Sequence, residues 1–154
     1  MKTNFNTLLA FLLIFMMTSF AFQVQAQEEE EMVPKKYENP EWKYVVLIDY
    51  KPGKFGAAQK IIKDYFIPAD QKAGVPGPEL ELVLHSGEYD LMVIWAMEEG
   101  IEEMNWELSP QSVKWRKAFN EMVGGKEAAD KIMDEYRSYV NSTTSYISLK
   151  ASYD

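Results

Sequence analysis

The stretch ELELVLHSGEYDLMVIWAM, residues 79–97, decides the fold. Leu80, Leu82 and Leu84 alternate with Glu81, Val83 and His85, the period-two pattern of a strand with one covered face. Ser86-Gly87-Glu88 marks a tight turn. The run after it, Tyr89 to Met97, is apolar at odd and even positions alike, as expected of a central strand covered on both sides. Two strands around a short turn imply an antiparallel sheet. The stretch also holds the single histidine of the chain, His85.

Working outward, WKYVVLIDYKPG from Trp42 is rich in β-branched and aromatic residues and stops at Pro52-Gly53, which makes it a strand. Phe55, Ala58, Ile62, Tyr65, Phe66 and Ala69 recur at three- and four-residue steps, forming one apolar face of a helix. Pro68 is expected to end or kink that helix near Phe66. Gly74, Pro76, Gly77 and Pro78 supply the next loop. Beyond Met97, a Glu-rich loop leads to Ser109-Pro110, a helix start with Ser as cap and Pro at the first helical position. Trp115, Ala118, Phe119 and Met122 form a stripe, Gly124-Gly125 breaks it, and Ala129, Ile132, Met133, Tyr136 and Val140 form another. TTSYISLK reads as a last strand. The order β-α-β-β-α-α-β is an α+β, ferredoxin-like split βαβ domain: a four-stranded antiparallel sheet with an interrupted second helix. Helices on one face leave the other to be covered, solvated or paired with a second copy.

Three segments carry a resemblance over roughly Trp42 to Lys150: FIPADQKAG before a strand, SGEYD leading into LMVIW, and WELSPQSVKW opening the second helix. On these the chain resembles the dimeric α/β-barrel superfamily, near the antibiotic-biosynthesis-monooxygenase-like group. The resemblance implies a homodimer with its sheets face to face and a pocket between sheet and helices. Monooxygenase-like members carry a pattern like H-x-x-S-P-H, and Trp106 and Gln111 stand here in the histidine places. Haem-degrading relatives use a helical histidine as iron ligand, which has no counterpart in this chain. The resemblance thus implies the fold and the pocket without that histidine chemistry.

The chain opens with Lys2, an apolar run from Leu8 to Phe22 and Val24-Gln25-Ala26, the order of a secretory signal peptide cleaved after Ala26. The rival, a membrane anchor, has fewer than the ~20 uninterrupted apolar residues a span needs. Cleavage leaves 128 of the 154 residues and, with Lys2 gone, a formal charge of −9 in place of −8. This acidity disfavours nucleic acid and anionic membrane surfaces as partners. The chain has no cysteine, so neither a disulfide nor a lipidated N-terminal Cys is available to an exported domain. Residues 27–41, with Glu28 to Glu31, read as an acidic linker; 42–150 form the domain, and 151–154 a tail. Export would end in the periplasm or outside the cell.

If Leu80, Leu82 and Leu84 face the helices, then Glu81, Val83 and His85 face the other way. On the first strand Val45, Leu47 and Asp49 share a face, and periodicity does not decide which row joins Glu81. Asp49, Glu81 and His85 are the candidate catalytic residues, a carboxylate–imidazole cluster fit for acid–base work. The competing reading leaves His85 wet at a strand end. Trp106, Trp95, Tyr146 and Gln111 are the candidate ligand-binding residues. Residue spacing indicates no zinc or calcium site and no cofactor motif. The leading expectation is an exported protein with a small-molecule-binding or structural role. The alternatives are a cofactor-independent monooxygenase-like or isomerase-like enzyme using His85 with a carboxylate, and an interaction module docking a basic partner through its acidic tail.

Overall fold

In the computed structural model, residues 32–151 are described. The leader read at residues 1–26, the glutamates at 28–31 and the last three residues lie outside them. Met32 to Lys36 have no regular secondary structure and are exposed. Everything below concerns residues 37–151.

Strand β1 (Trp42–Tyr50) pairs antiparallel with β3 (Leu91–Met97) on one side and β4 (Val140–Leu149) on the other, while β2 (Leu80–Val83) pairs with β3 at the edge. The sheet order β2-β3-β1-β4 is that of the ferredoxin-like α+β fold, and β3 is central, as its two apolar faces imply. The inward row of β1, Val46, Ile48 and Tyr50, meets Leu91 and Val93 of β3 and the small Ala58 of helix α1 (Phe55–Ile61). A second cluster joins Ala69 of α2 (Ile67–Ala73), Phe119 of α3 (Pro110–Val123) and Ala129 of α4 (Lys126–Tyr139). Alanines at the crossing points let the helices approach closely, and Phe119, 2 % exposed, fills the space between them.

The Ser-Pro start of α3 forms as its chemistry requires. Ser109 has extended backbone angles, and its Oγ accepts the Ser112 N–H at 3.1 Å. Gly124 closes the helix in the left-handed region at φ 91°. A short 3₁₀ helix, Gly100–Asn105, fills the loop after β3. Gly100 starts it at φ 63°, where an added Cβ would lie 3.2 Å from Trp42 Cδ1, so only glycine suits this position.

Two expectations are corrected. Of the two outcomes expected at Pro68, an end or a kink near Phe66, the end does not occur. The chain widens instead into a π-helical segment, Ile62–Phe66, in which the Ile67 N–H reaches back to the Ile62 carbonyl, and then continues as α2 through Pro68. Proline lacks an N–H and collides with the carbonyl four residues back, and the wider turn makes room for the ring. The second correction concerns β2. Glu81 and Val83 pair with Val93 and Leu91 of the inward row, so they face the helices; Leu80 and Leu82 pair with Ile94 and Met92 and face away. The more apolar row of β2 is therefore the outward one.

Phe119→Ala is expected to cost about 3–5 kcal/mol of unfolding free energy, and Ser109→Ala about 1 kcal/mol, both read from denaturant titrations.

Candidate functional site

Two of the cavities between the sheet and the helices have Trp95 in their walls. The inner one, about 280 Å³, has apolar walls from Ile48, Leu91 and Val93 of the sheet and Ile62 and Ile67 of the first helical layer. Its aromatic walls are Phe66, Trp95, Trp115 and Tyr136. The Phe66 ring meets Trp115 at 5.7 Å and 70° and Tyr136 at 5.1 Å and 71°, so the three rings stand as a corner rather than a stack. The outer cavity, about 480 Å³, lies between the ends of β1 and β3, the 3₁₀ segment and the start of α3, with Tyr44, Met104, Trp106 and Gln111 in its wall. Trp106 is half exposed, and its indole N–H donates to Glu99 at 3.3 Å.

Three polar side chains face the inner cavity. Asp70 projects from α2, Glu81 stands exposed at the β2 rim, and Tyr136 comes from α4. Burial pushes the Asp70 carboxyl above its ordinary value; the Trp115 indole N–H opposes this, and the negative Glu81 reinforces it. Burial likewise raises the Tyr136 hydroxyl, with a hydrogen bond from Tyr50 opposing and Glu81 adding to the rise. The Tyr136 and Tyr50 hydroxyls lie 2.9 Å apart. Either hydroxyl can donate to the other; where Tyr50 does, the Tyr136 proton is free for another acceptor. Gly77 passes beside the site, its missing Cβ 3.7 Å from Asp70 Oδ2.

The expected catalytic cluster does not assemble. Asp49 lies on the outward face of β1, opposite Ser142, and its carboxylate accepts from the Asn141 amide. Glu81 is on the inward face, and His85 is exposed in the bend after β2, in the wall of neither cavity. Asp49 and Glu81 are separated by the sheet because their rows have opposite parity, which strand alternation makes absolute. Of the ligand-binding candidates, Trp95, Trp106 and Gln111 line the outer cavity. Tyr146 does not; it pairs with Val45 on the outward face and is 53 % exposed. Asp70 and Tyr136 were not singled out from sequence. The signal was present: Asp70 follows Phe66 by four positions and Tyr136 belongs to the last apolar stripe, so each shares a helical face with core residues. Among the described residues no group of three or more His, Cys, Asp or Glu side chains is placed to hold a metal ion, and no helix is long and apolar enough to cross a membrane.

No protein-family model matches the chain, and no curated protein matches it. Among solved structures, the fold is similar to that of a NIPSNAP family protein of unknown function from Agrobacterium tumefaciens strain C58, at 11% identity and a TM-score of 0.52, covering 79% of this chain and 97% of that one. A second NIPSNAP family protein from the same organism is 11% identical, with 72% and 93% covered and a TM-score of 0.47. A NIPSNAP-like domain protein from Burkholderia xenovorans is 9% identical, with 74% and 88% covered and a TM-score of 0.47. Identities this low speak of fold alone. The first of these likenesses agrees with the ferredoxin-like α+β architecture of the sheet and its helices.

A carboxyl whose folded-state pKa is raised carries a penalty when ionised, so that penalty is present at neutral pH and vanishes as pH falls below the ordinary value of 3.8. Asp70→Asn, which never ionises, is expected to melt higher than the parent at pH 7 and to lose that advantage near pH 3. Thermal melts across pH check this; a variant that melts lower at pH 7 and gains on acidification contradicts it.

Proposed function

We propose that the protein binds a small molecule with a flat or greasy body in the cavity between sheet and helices, with Asp70, Glu81 and the Tyr136 hydroxyl contacting its polar end. The observation that carries this reading is the inner cavity, whose apolar and aromatic walls enclose a few convergent polar groups. A catalytic role for His85 draws no support from its exposed place outside both cavities. His85→Ala is accordingly expected to leave ligand affinity unchanged, whereas Trp115→Ala, which opens a wall, lowers it at least about tenfold. Isothermal titration of the two variants separates the readings, and loss of binding on the histidine change alone sinks this one.

The same proposal extends to a homodimer joined sheet to sheet. The outward face carries Val45, Leu47, Leu80, Leu82, Met92 and Ile94, and no described helix packs on it. Leu80 and Leu82 are 44% and 42% exposed, a contiguous apolar surface of the kind that marks an interface. A second copy supplies the same apolar row by symmetry. Light scattering on the size-excluded chain is expected to report twice the protomer mass, and Leu82→Glu to halve it while leaving the circular dichroism intact. A monomer at tens of micromolar sinks the pairing. Export, the remaining part of the proposal, is supported by the order of residues 1–26 alone; a secreted or periplasmic product beginning at Gln27 is its test.

A further inference from the structure

We infer that the ligand of the inner cavity is an organic cation, an ammonium or amidinium group carried on an apolar or aromatic body. The inference rests on the binding reading above and adds the sign of the ligand's charge. Three observations carry it.

The first is the charge inventory of the walls. Asp70 and Glu81 face the inner cavity, and Glu103 and Glu107 line the outer one that shares Trp95 with it. No Lys or Arg lines either, although the chain has 16 of them. The ion pairs of the described residues engage other carboxylates: Lys43 with Glu41 and Glu79, Lys72 with Glu121, Lys150 with Glu41, and the i,i+3 and i,i+4 pairs along the helices. None reaches Asp70 or Glu81. An anionic ligand would therefore meet uncompensated negative charge in a partly desolvated site, where like charges repel far more strongly than in water. A cation meets the opposite.

The second is the shape of the aromatic corner. Phe66, Trp115 and Tyr136 stand nearly edge to face, with Trp95 opposite on the sheet. The faces of aromatic rings carry negative quadrupole charge, and an ammonium seated over one of these cavity-lining rings is attracted without a formal counter-ion. A purely apolar ligand gains nothing from the two carboxyls and must leave at least Asp70 partly dehydrated.

The third is placement. Asp70 lies on helix α2, half-buried, with the Trp115 indole beside it, whereas Glu81 is at the exposed rim. One carboxylate is thus fixed inside and the other stands at the entrance. This is a suitable order for drawing a cation in and then holding it by a charge-assisted hydrogen bond.

The test uses three compounds of nearly the same shape, phenethylammonium, 2-phenylethanol and phenylacetate, titrated at pH 7.5 into the purified chain and followed by calorimetry and tryptophan fluorescence. The ammonium is expected to bind at least about tenfold tighter than the alcohol, the scale of one hydrogen bond to a charged group, with the carboxylate weakest. Asp70→Asn and Glu81→Gln should each shrink the ammonium-to-alcohol ratio at least threefold, on the order of half such an interaction, while alcohol affinity holds. If the alcohol or the carboxylate binds as tightly as the ammonium, or if neither substitution moves the ratio, the cation inference falls and the cavity-binding reading stands. If none of the three registers at millimolar concentration by either readout, both fall together.

Discussion

Tyr50 is the residue on which the arrangement turns. It ends the inward row of β1, one of the two inner strands, is 4 % exposed, and touches three separately built parts of the fold. Its ring meets Phe55 of the first helix at 5.7 Å and Tyr136 of the last at 6.2 Å, both edge to face. Its amide donates to the Asp90 carboxylate at 2.9 Å, just ahead of β3. The β1–β4 register shifts between Asp49 and Tyr50, where this junction forms: Asp49 pairs with Ser142 and Tyr50 with Val140, so Asn141 of β4 is skipped. Because the Tyr50 hydroxyl also meets that of Tyr136, the same residue that closes the core holds a polar group of the cavity wall in position. Core and site are not separable there.

The order of elements was legible in the sequence because it is written in local periodicity. The three- and four-residue spacing of the helices, the two-faced apolar run of β3 and the Ser109-Pro110 start each depend on near neighbours alone. What periodicity could not deliver was the inward row of β2. Alternation defines two faces and is silent on which one meets the helices. Burying the row with the most leucine is sound only when a sheet has one apolar face. This sheet has two, since Leu47, Met92 and Ile94 line the outward side as well. Leu80 and Leu82 joined them, Glu81 turned inward, and the cluster drawn around Asp49 and His85 came apart. Trp95, Trp106 and Gln111 were found around a cavity for a different reason: they flank the end of β3 and the start of α3, where the order of elements by itself leaves a gap.

The two faces of the sheet also divide the labour of stabilisation. On the helix side, burial of Val46, Ile48, Leu91, Val93 and Phe119 stabilises a chain that has no cysteine to cross-link. On the other side Tyr89 reaches from ahead of β3 to Thr144 of β4, its hydroxyl at 2.8 Å, and so crosses β1 over the outward face. The ion pair of Lys150 with Glu41 is solvent-facing and contributes little, while in that of Lys43 with Glu79 the lysine is largely covered and the glutamate half exposed. Apolar area, not charge, is what this fold has to hold itself together.

The π-helical turn at Ile62–Phe66 has a geometrical consequence for everything that follows it. One residue more than an α-helical turn requires is accommodated there, and each residue of an α-helix advances the azimuth by about 100°. Downstream of the turn, Ala69 and Asp70 are therefore rotated by about that angle from where an unbroken helix starting at Phe55 would present them. The turn acts as a phase shifter: the half before it seats Ala58 and Ile61 in the core, and the half after it aims Asp70 at the cavity. A one-residue deletion within this turn would leave the helix helical and its composition almost unchanged. It would nonetheless redirect the carboxylate, so the turn's length, as much as any side chain, sets what the cavity contains.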